Sequence, residues 1–300
     1  MDGKPDVLVL GGGGVLGETW MTALLAGFEQ ETRFDLRQCE GFVGTSAGSI
    51  VSAALVAGKR PRERLDGFPE QPPVEEAQDA GGGSALGNLV RLGLAAGGAA
   101  AAPAAALALR STAFGGALVR RVALNGIPRG RRSLRGLGRS LEQAGARFDG
   151  RLTVSAVDLA SGRRVMFGSP DAPEASVGDA VEASCAIPGV FRPIEIGERL
   201  YVDGGAWSPT NMDTVDPARG TRVLCLNPTG SIGPFGALSR AAAGIEALTI
   251  ERRGAQVTTV SPDAASAAAM GANLMDPGPR RGVAKAAFAQ GVALGRRAAA

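Results

Sequence analysis

Apolar residues follow two rhythms along this chain. Val7-Leu8-Val9-Leu10, Phe42-Val43 and Val223-Leu224-Cys225-Leu226 are short unbroken runs, as expected of central parallel strands covered on both faces. Between the first two runs, Met21, Leu24, Leu25 and Phe28 recur at helical spacing and predict a helix over 18–29. A second apolar helix is predicted over 49–56, closed by Gly58. Two strand–glycine turn–helix units in sixty residues predict an α/β fold, three layers α/β/α around a mostly parallel central sheet.

Further on, 152–157 and 164–167 alternate as strands and flank Ser161-Gly162, which predicts a hairpin. Strands are also expected at 199–202 and 256–260, and helices over 133–148, 177–186, 241–253, 264–274 and 284–297. Composition shifts to Gly, Ala and Pro from about 67 to 118, and no charge lies between Arg91 and Arg110. That uncharged length touches what a membrane span requires. Its Ala and Gly content and Pro103 give little to drive insertion, so the stretch reads as a cap or insertion within a single domain over 1–300.

Charge changes the picture locally. Seven arginines and no acidic residue lie from Arg120 to Arg139, in a chain of net charge +3, so the rest is net acidic. Leu134, Leu137, Leu141 and Phe148 share one face of the expected 133–148 helix. A basic amphipathic helix of this kind either rests on anionic lipid or packs its leucines on the core. Nothing suggests a nucleic-acid partner. Three widely spaced cysteines, Cys39, Cys185 and Cys225, fit a reducing compartment rather than a disulfide framework. The first residues lack a basic stretch followed by a long apolar run, so no secretory signal is read and a cytoplasmic location is expected.

Candidate chemistry gathers where predicted strands end. Gly44-Thr45-Ser46-Ala47-Gly48 fits the strand-to-helix nucleophile elbow, with small residues two before and two after the serine. A serine needs a base, and the usual one is imidazole. The chain has no histidine. Asp203, in Asp203-Gly204-Gly205 after an apolar run, is the candidate base, useful if desolvated and in contact with the hydroxyl. Asp158 begins the hairpin turn and reads as structural. The loop Gly11-Gly12-Gly13-Gly14-Val15-Leu16-Gly17 offers backbone N–H groups for an oxyanion. It also fits the dinucleotide fingerprint, but that reading wants an acidic residue ending the next strand. Asp35 stands at about that distance in a sequence hardly like a buried strand.

Together these residues resemble the patatin-like phospholipase family. The resemblance rests on Gly12–Gly17, on Gly44-Thr45-Ser46-Ala47-Gly48-Ser49 and on Asp203-Gly204-Gly205, in that order. The stretch Ala183-Ser184-Cys185-Ala186-Ile187-Pro188-Gly189-Val190-Phe191 is also similar to the segment preceding the family's aspartate. The resemblance implies a patatin-like fold and a lipid acyl hydrolase working through an acyl-serine, with no metal or cofactor. Ser46 would be the nucleophile and Asp203 its base. Gly12, Gly13 and Gly14 would supply the oxyanion hole, with Gly17, Gly44, Gly48, Gly204 and Gly205 as support. Leu16 departs from the pattern, since bacterial members commonly carry a basic residue there. A catalytically silent lipid-binding protein of the same fold and a dinucleotide-binding protein are the alternatives. Peripheral contact with an anionic membrane through the 120–139 arginines is the expected partner interaction besides the lipid or acyl-ester substrate.

Overall fold

A computed structural model describes residues 3–66, 116–130, 132–231 and 233–299. The expected cap or insertion at about 67–118 therefore lies, but for its last three residues, outside the described residues, and so does the uncharged stretch.

Strand β1 (Val7–Leu10) leads into helix α1 (Gly14–Thr32), and β2 (Gly41–Thr45) leads into α2 (Ala47–Val56). A short α3 (Pro61–Asp66) follows, then α4 (Gly116–Asn125) and α5 (Arg135–Gln143). Next come β3 (Leu152–Asp158), β4 (Arg164–Phe167), α6 (Val177–Cys185), β5 (Ile194–Ile196) and β6 (Arg199–Asp203). The chain closes with β7 (Arg222–Leu226), α7 (Gly233–Glu251), β8 (Gln256–Val260), α8 (Ala264–Met270) and α9 (Arg280–Ala299).

Among the described residues the eight strands form one sheet, ordered β5-β6-β3-β2-β1-β7-β8, with β4 paired to β3. Strands β1, β2, β3, β7 and β8 run parallel to one another. Strands β4 and β6 are antiparallel to β3, and β5 to β6. The unbroken apolar runs are explained by burial on both faces. Leu8, Leu10, Phe42, Leu224 and Leu226 enter the core shared with α1, α2 and α9. Val9, Val43, Val223 and Cys225 enter a second core, closed by Ile250 of α7.

One feature of the sheet positions the chemistry. Strand β2 pairs with residues 152–155 of β3, and β6 with 156–158. Phe42 N–H donates to Arg151 O and Leu159 N–H to Leu200 O, whereas Asp158 N–H donates to Arg163 O in the hairpin. Successive residues of a strand direct their backbone groups to opposite edges. Odd-numbered residues of β3 thus serve β2 and then β6, and even-numbered ones serve β4. Strands β2 and β6 share one edge of β3, running toward each other, so their carboxyl ends abut. Thr45↔Ser155 and Asp203↔Ala156 are consecutive rungs.

Candidate active site

Ser46 occupies the single residue between β2 and α2, with φ 50° and ψ −121°. This is a positive-φ conformation that costs a non-glycine residue about 1–3 kcal/mol and persists only where its surroundings enforce it. Both peptide groups of the serine are pinned. Its N–H donates to Ser184 Oγ at 2.8 Å. Its carbonyl accepts from Ser49 N–H at 2.8 Å and from Ser49 Oγ at 2.6 Å. Close packing explains the flanking glycines. A Cβ on Gly48 would stand 1.9 Å from Leu10 O, and one on Gly44 2.5 Å from Ser49 Cα. Neither obstacle is a flexible side-chain tip. Gly48→Ala is therefore expected to destabilise the fold by about 3 kcal/mol or more, readable as a fall in the urea midpoint.

Asp203 ends β6 and is 6% exposed, against 7% for Ser46. Its N–H donates to Ala186 O at 3.1 Å, just past the end of α6. Its Oδ1 accepts from Gly205 N–H at 2.7 Å. Burial pushes the carboxyl up to about 6, against the smaller opposing pull of hydrogen bonds from Gly205 N–H and the Ser46 hydroxyl. Serine and aspartate are thus both nearly buried, at the ends of two abutting strands. Gly204 passes against β3 so closely that a Cβ would lie 2.2 Å from Ser155 Oγ. Cys185 of α6 is the titratable neighbour, 4.0 Å from Ser49 Oγ. Desolvation first, and then the Asp203 charge, hold its thiol well above the ordinary range, so it stays neutral.

The glycine loop lies alongside. Gly12 faces the serine, since a Cβ there would come 3.5 Å from Ser46 Cβ. Its N–H, however, donates to Pro209 O at 2.9 Å. The expected donor set is corrected accordingly: Gly12 contributes close approach, and its amide is committed elsewhere. Gly13 and Gly14 open α1, where the first N–H groups have no carbonyl one turn back, and among the described residues neither amide has a backbone acceptor. Gly14 has φ +59°, and a Cβ on Gly17 would press on Pro228 at 3.1 Å. Leu16 is fully buried in the core.

Asp35 caps the short turn Leu36–Gln38 and is ion-paired with Arg37 at 2.8 Å. It ends no strand, which removes the acidic residue that the dinucleotide reading required. Asp158 bonds Ala160 N–H and Ser161 Oγ within its hairpin and pairs with Arg199 at the start of β6, as a structural residue would.

The family model for patatin-like phospholipase matches residues 8–216, a span that contains the glycine loop, the elbow and the aspartate turn. The chain belongs to the patatin-like phospholipase family. This is a family of lipid hydrolases, and the α/β fold with its mostly parallel sheet is the patatin-like fold. No curated protein matches the sequence. Among solved structures, that of VipD from Legionella pneumophila is similar at 14% identity and TM-score 0.49, over 98% of this chain and 67% of that one. The type III effector protein ExoU is similar at 14% identity and TM-score 0.39, over 99% of this chain and 54% of that one.

Several residues of this patatin-like site had no sequence signal strong enough to single them out. Ser184 looks like any small helix residue, yet it holds the elbow's amide. Thr45 and Ser155 are fully buried polar residues in adjacent strands, and such polar breaks in apolar runs are the clue that could have found them. The arginine segment takes the second of its two expected readings, with its leucines packed on the core. Arg120 is buried, with Nη1 donating to Gly162 O and its guanidinium 4.0 Å from the Trp207 ring centroid. Leu141 is buried, and Leu134, Leu137 and Phe148 pack against the main core. The apolar face of α5 is thus spent inward, while Arg121, Arg129, Arg132 and Arg139 are exposed.

Proposed function

We propose that this chain hydrolyses carboxylic esters of lipids through an acyl-serine, with Ser46 as nucleophile and Asp203 as its only side-chain base. The reading is supported by a buried carboxyl at the end of the strand that abuts a serine held in a strained elbow, in a chain without histidine. Ser46 Oγ attacks the ester carbonyl carbon as its proton passes to Asp203. The developing oxyanion takes hydrogen bonds from the free N–H groups of Gly13 and Gly14, and the start of α1 adds its partial positive charge. Collapse of the tetrahedral species expels the alcohol, which takes the proton from Asp203. Water then attacks the acyl-serine, giving a proton to Asp203, which passes it to the departing Ser46 Oγ as the fatty acid is released and the enzyme is restored. The cycle needs no metal.

A fluorophosphonate probe tests this, because only an activated serine is labelled. Labelling confined to Ser46 and insensitive to chelators is the expected result. No labelling leaves the catalytically silent reading, and loss of labelling on chelation overturns the mechanism.

The same proposal places the protein in the cytoplasm, in peripheral contact with anionic membrane. Exposed Leu118, Val119 and Val122 on α4 lie in the same stretch as the exposed Arg121, Arg129, Arg132 and Arg139, a combination suited to an anionic interface. Among the described residues no helix is long and apolar enough to cross a membrane. Flotation should recover the protein with vesicles containing anionic lipid and not with zwitterionic ones. Equal recovery from both counts against the arginine contact.

A further inference from the structure

A short loop after the aspartate turn touches all three motifs. Pro209 O accepts from Gly12 N–H of the glycine loop. Thr210 O accepts from Thr45 Oγ1, one residue before the serine, at 3.4 Å. Asn211 is fully buried with φ 53° and ψ 29°, a left-handed conformation that asparagine tolerates better than most residues. Its Nδ2 lies 2.8 Å from Ser208 O, 3.0 Å from Thr45 Oγ1, 3.2 Å from Ser155 Oγ and 3.4 Å from Gly204 O. Its Oδ1 accepts from Arg164 Nη1 at 3.2 Å, and Asp213 holds that arginine by two bonds of 2.6 and 2.9 Å. Carbonyls on one side and a guanidinium on the other fix which end of the carboxamide is nitrogen.

We propose that Asn211 is the positioning residue of the serine–aspartate pair: its carboxamide ties the turn after Asp203 to the strand end before Ser46 and so sets the contact between hydroxyl and carboxylate. The inference rests on the catalytic reading above. The ends of β2 and β6 abut without a covalent link, and Asn211 bonds residues adjacent to both. The fold of the loop has other anchors. Glu246 accepts from Thr210 Oγ1 and from Met212 N–H at 2.9 Å, and Gly12 holds Pro209. One carboxamide bond, to Ser208 O, is thus spent within the loop, and the others go to the junction between motifs.

Asn211→Gly keeps the left-handed backbone and deletes the carboxamide. Thr45→Val removes its hydroxyl partner at nearly constant shape and serves should the glycine variant fold poorly. Three quantities are to be read in each: kcat and KM on a water-soluble p-nitrophenyl ester, the thermal midpoint, and the Asp203 carboxyl titration by carbon-13 NMR, with Ser46→Ala as reference. Hydrogen bonds from Ser46 and Gly205 favour the carboxylate, so loosening the junction should move the Asp203 titration upward by roughly half to one pH unit. A fall in kcat of about 10- to 100-fold with little change in KM should accompany it. A folded variant with wild-type kcat and titration overturns the proposal. So does an activity loss that tracks the thermal midpoint while the titration stays put. If the wild type neither turns over ester nor labels at Ser46, the catalytic reading fails, and the titration still decides whether Asn211 sets the contact.

Discussion

Ser46→Ala is expected to lower ester hydrolysis by about 10⁴-fold or more and to abolish fluorophosphonate labelling. The expectation follows from the division of labour at the site. Once the hydroxyl is gone no acyl-enzyme forms, and the glycine-loop amides are left with only a water attack to assist. Folding should survive, because the bonds that pin the elbow run through backbone atoms of residue 46, from Ser184 and Ser49. Ser46→Gly makes a sharper companion. Glycine adopts a positive φ without the penalty that serine carries at φ 50°, so this variant should be inactive yet more stable by about 1 kcal/mol. Calorimetry and the labelling gel together check the pair. Near-wild-type turnover in the alanine variant removes Ser46 from its role.

Asp203→Asn should be nearly as damaging, with a fall of about 10³-fold or more. The amide can still accept the Gly205 N–H but cannot take a proton from the serine. In the wild type, the acid limb of kcat/KM should lie near pH 6, where burial places the Asp203 carboxyl. Activity should drop tenfold per pH unit below that, because the protonated acid is no base. An acid limb near pH 4 contradicts a desolvated base. The same burial gives a stability prediction of definite sign. A carboxyl raised from 3.8 to about 6 on folding binds protons more tightly in the folded state. Its ionisation costs the fold nothing below about pH 4, a growing amount up to pH 6, and a constant amount above. The neutral asparagine escapes that cost. The variant should therefore exceed the wild type by up to about 3 kcal/mol at pH 7 to 8, and the gap should close by pH 4. Urea titrations at both pH values read this directly.

How far the site was legible varied by residue. The elbow and the glycine loop announce themselves because each is a local device. A strand must stop, a serine must project, and only glycine fits the approach of Gly48 to Leu10 O. The hairpin at 152–167 was equally plain, since alternation and a turn are local too. Asp203 is legible as a residue that ends an apolar run, but the run does not give the direction of its strand. Strand β6 runs antiparallel to β3, and Asp203 comes beside the elbow because β6 meets β2 end to end along β3. Strand direction is carried by hydrogen bonds between segments far apart in sequence, and a five-residue apolar run reads alike both ways. The arginine segment was ambiguous for a related reason. Its pattern fits a helix face turned to lipid or to core, and only the neighbours decided for core at Leu141 and for burial at Arg120. Commitment of the Gly12 amide to Pro209 is likewise a contact across 197 positions, invisible in the loop's own letters.

Taken alone, the order of residues determined the layered α/β class, the parallel core strands, the strained serine turn and the lack of any imidazole to serve it. These depend on periodicity, on steric need at glycine and on which side chains exist at all, properties that a chain carries before it folds. Tertiary structure decided which carboxyl lies beside the elbow, which way burial moves its proton affinity, which glycine-loop amide is committed to a carbonyl and what holds Asn211 between the motifs. Each of those is a matter of distance and dehydration between segments that only the folded sheet brings together.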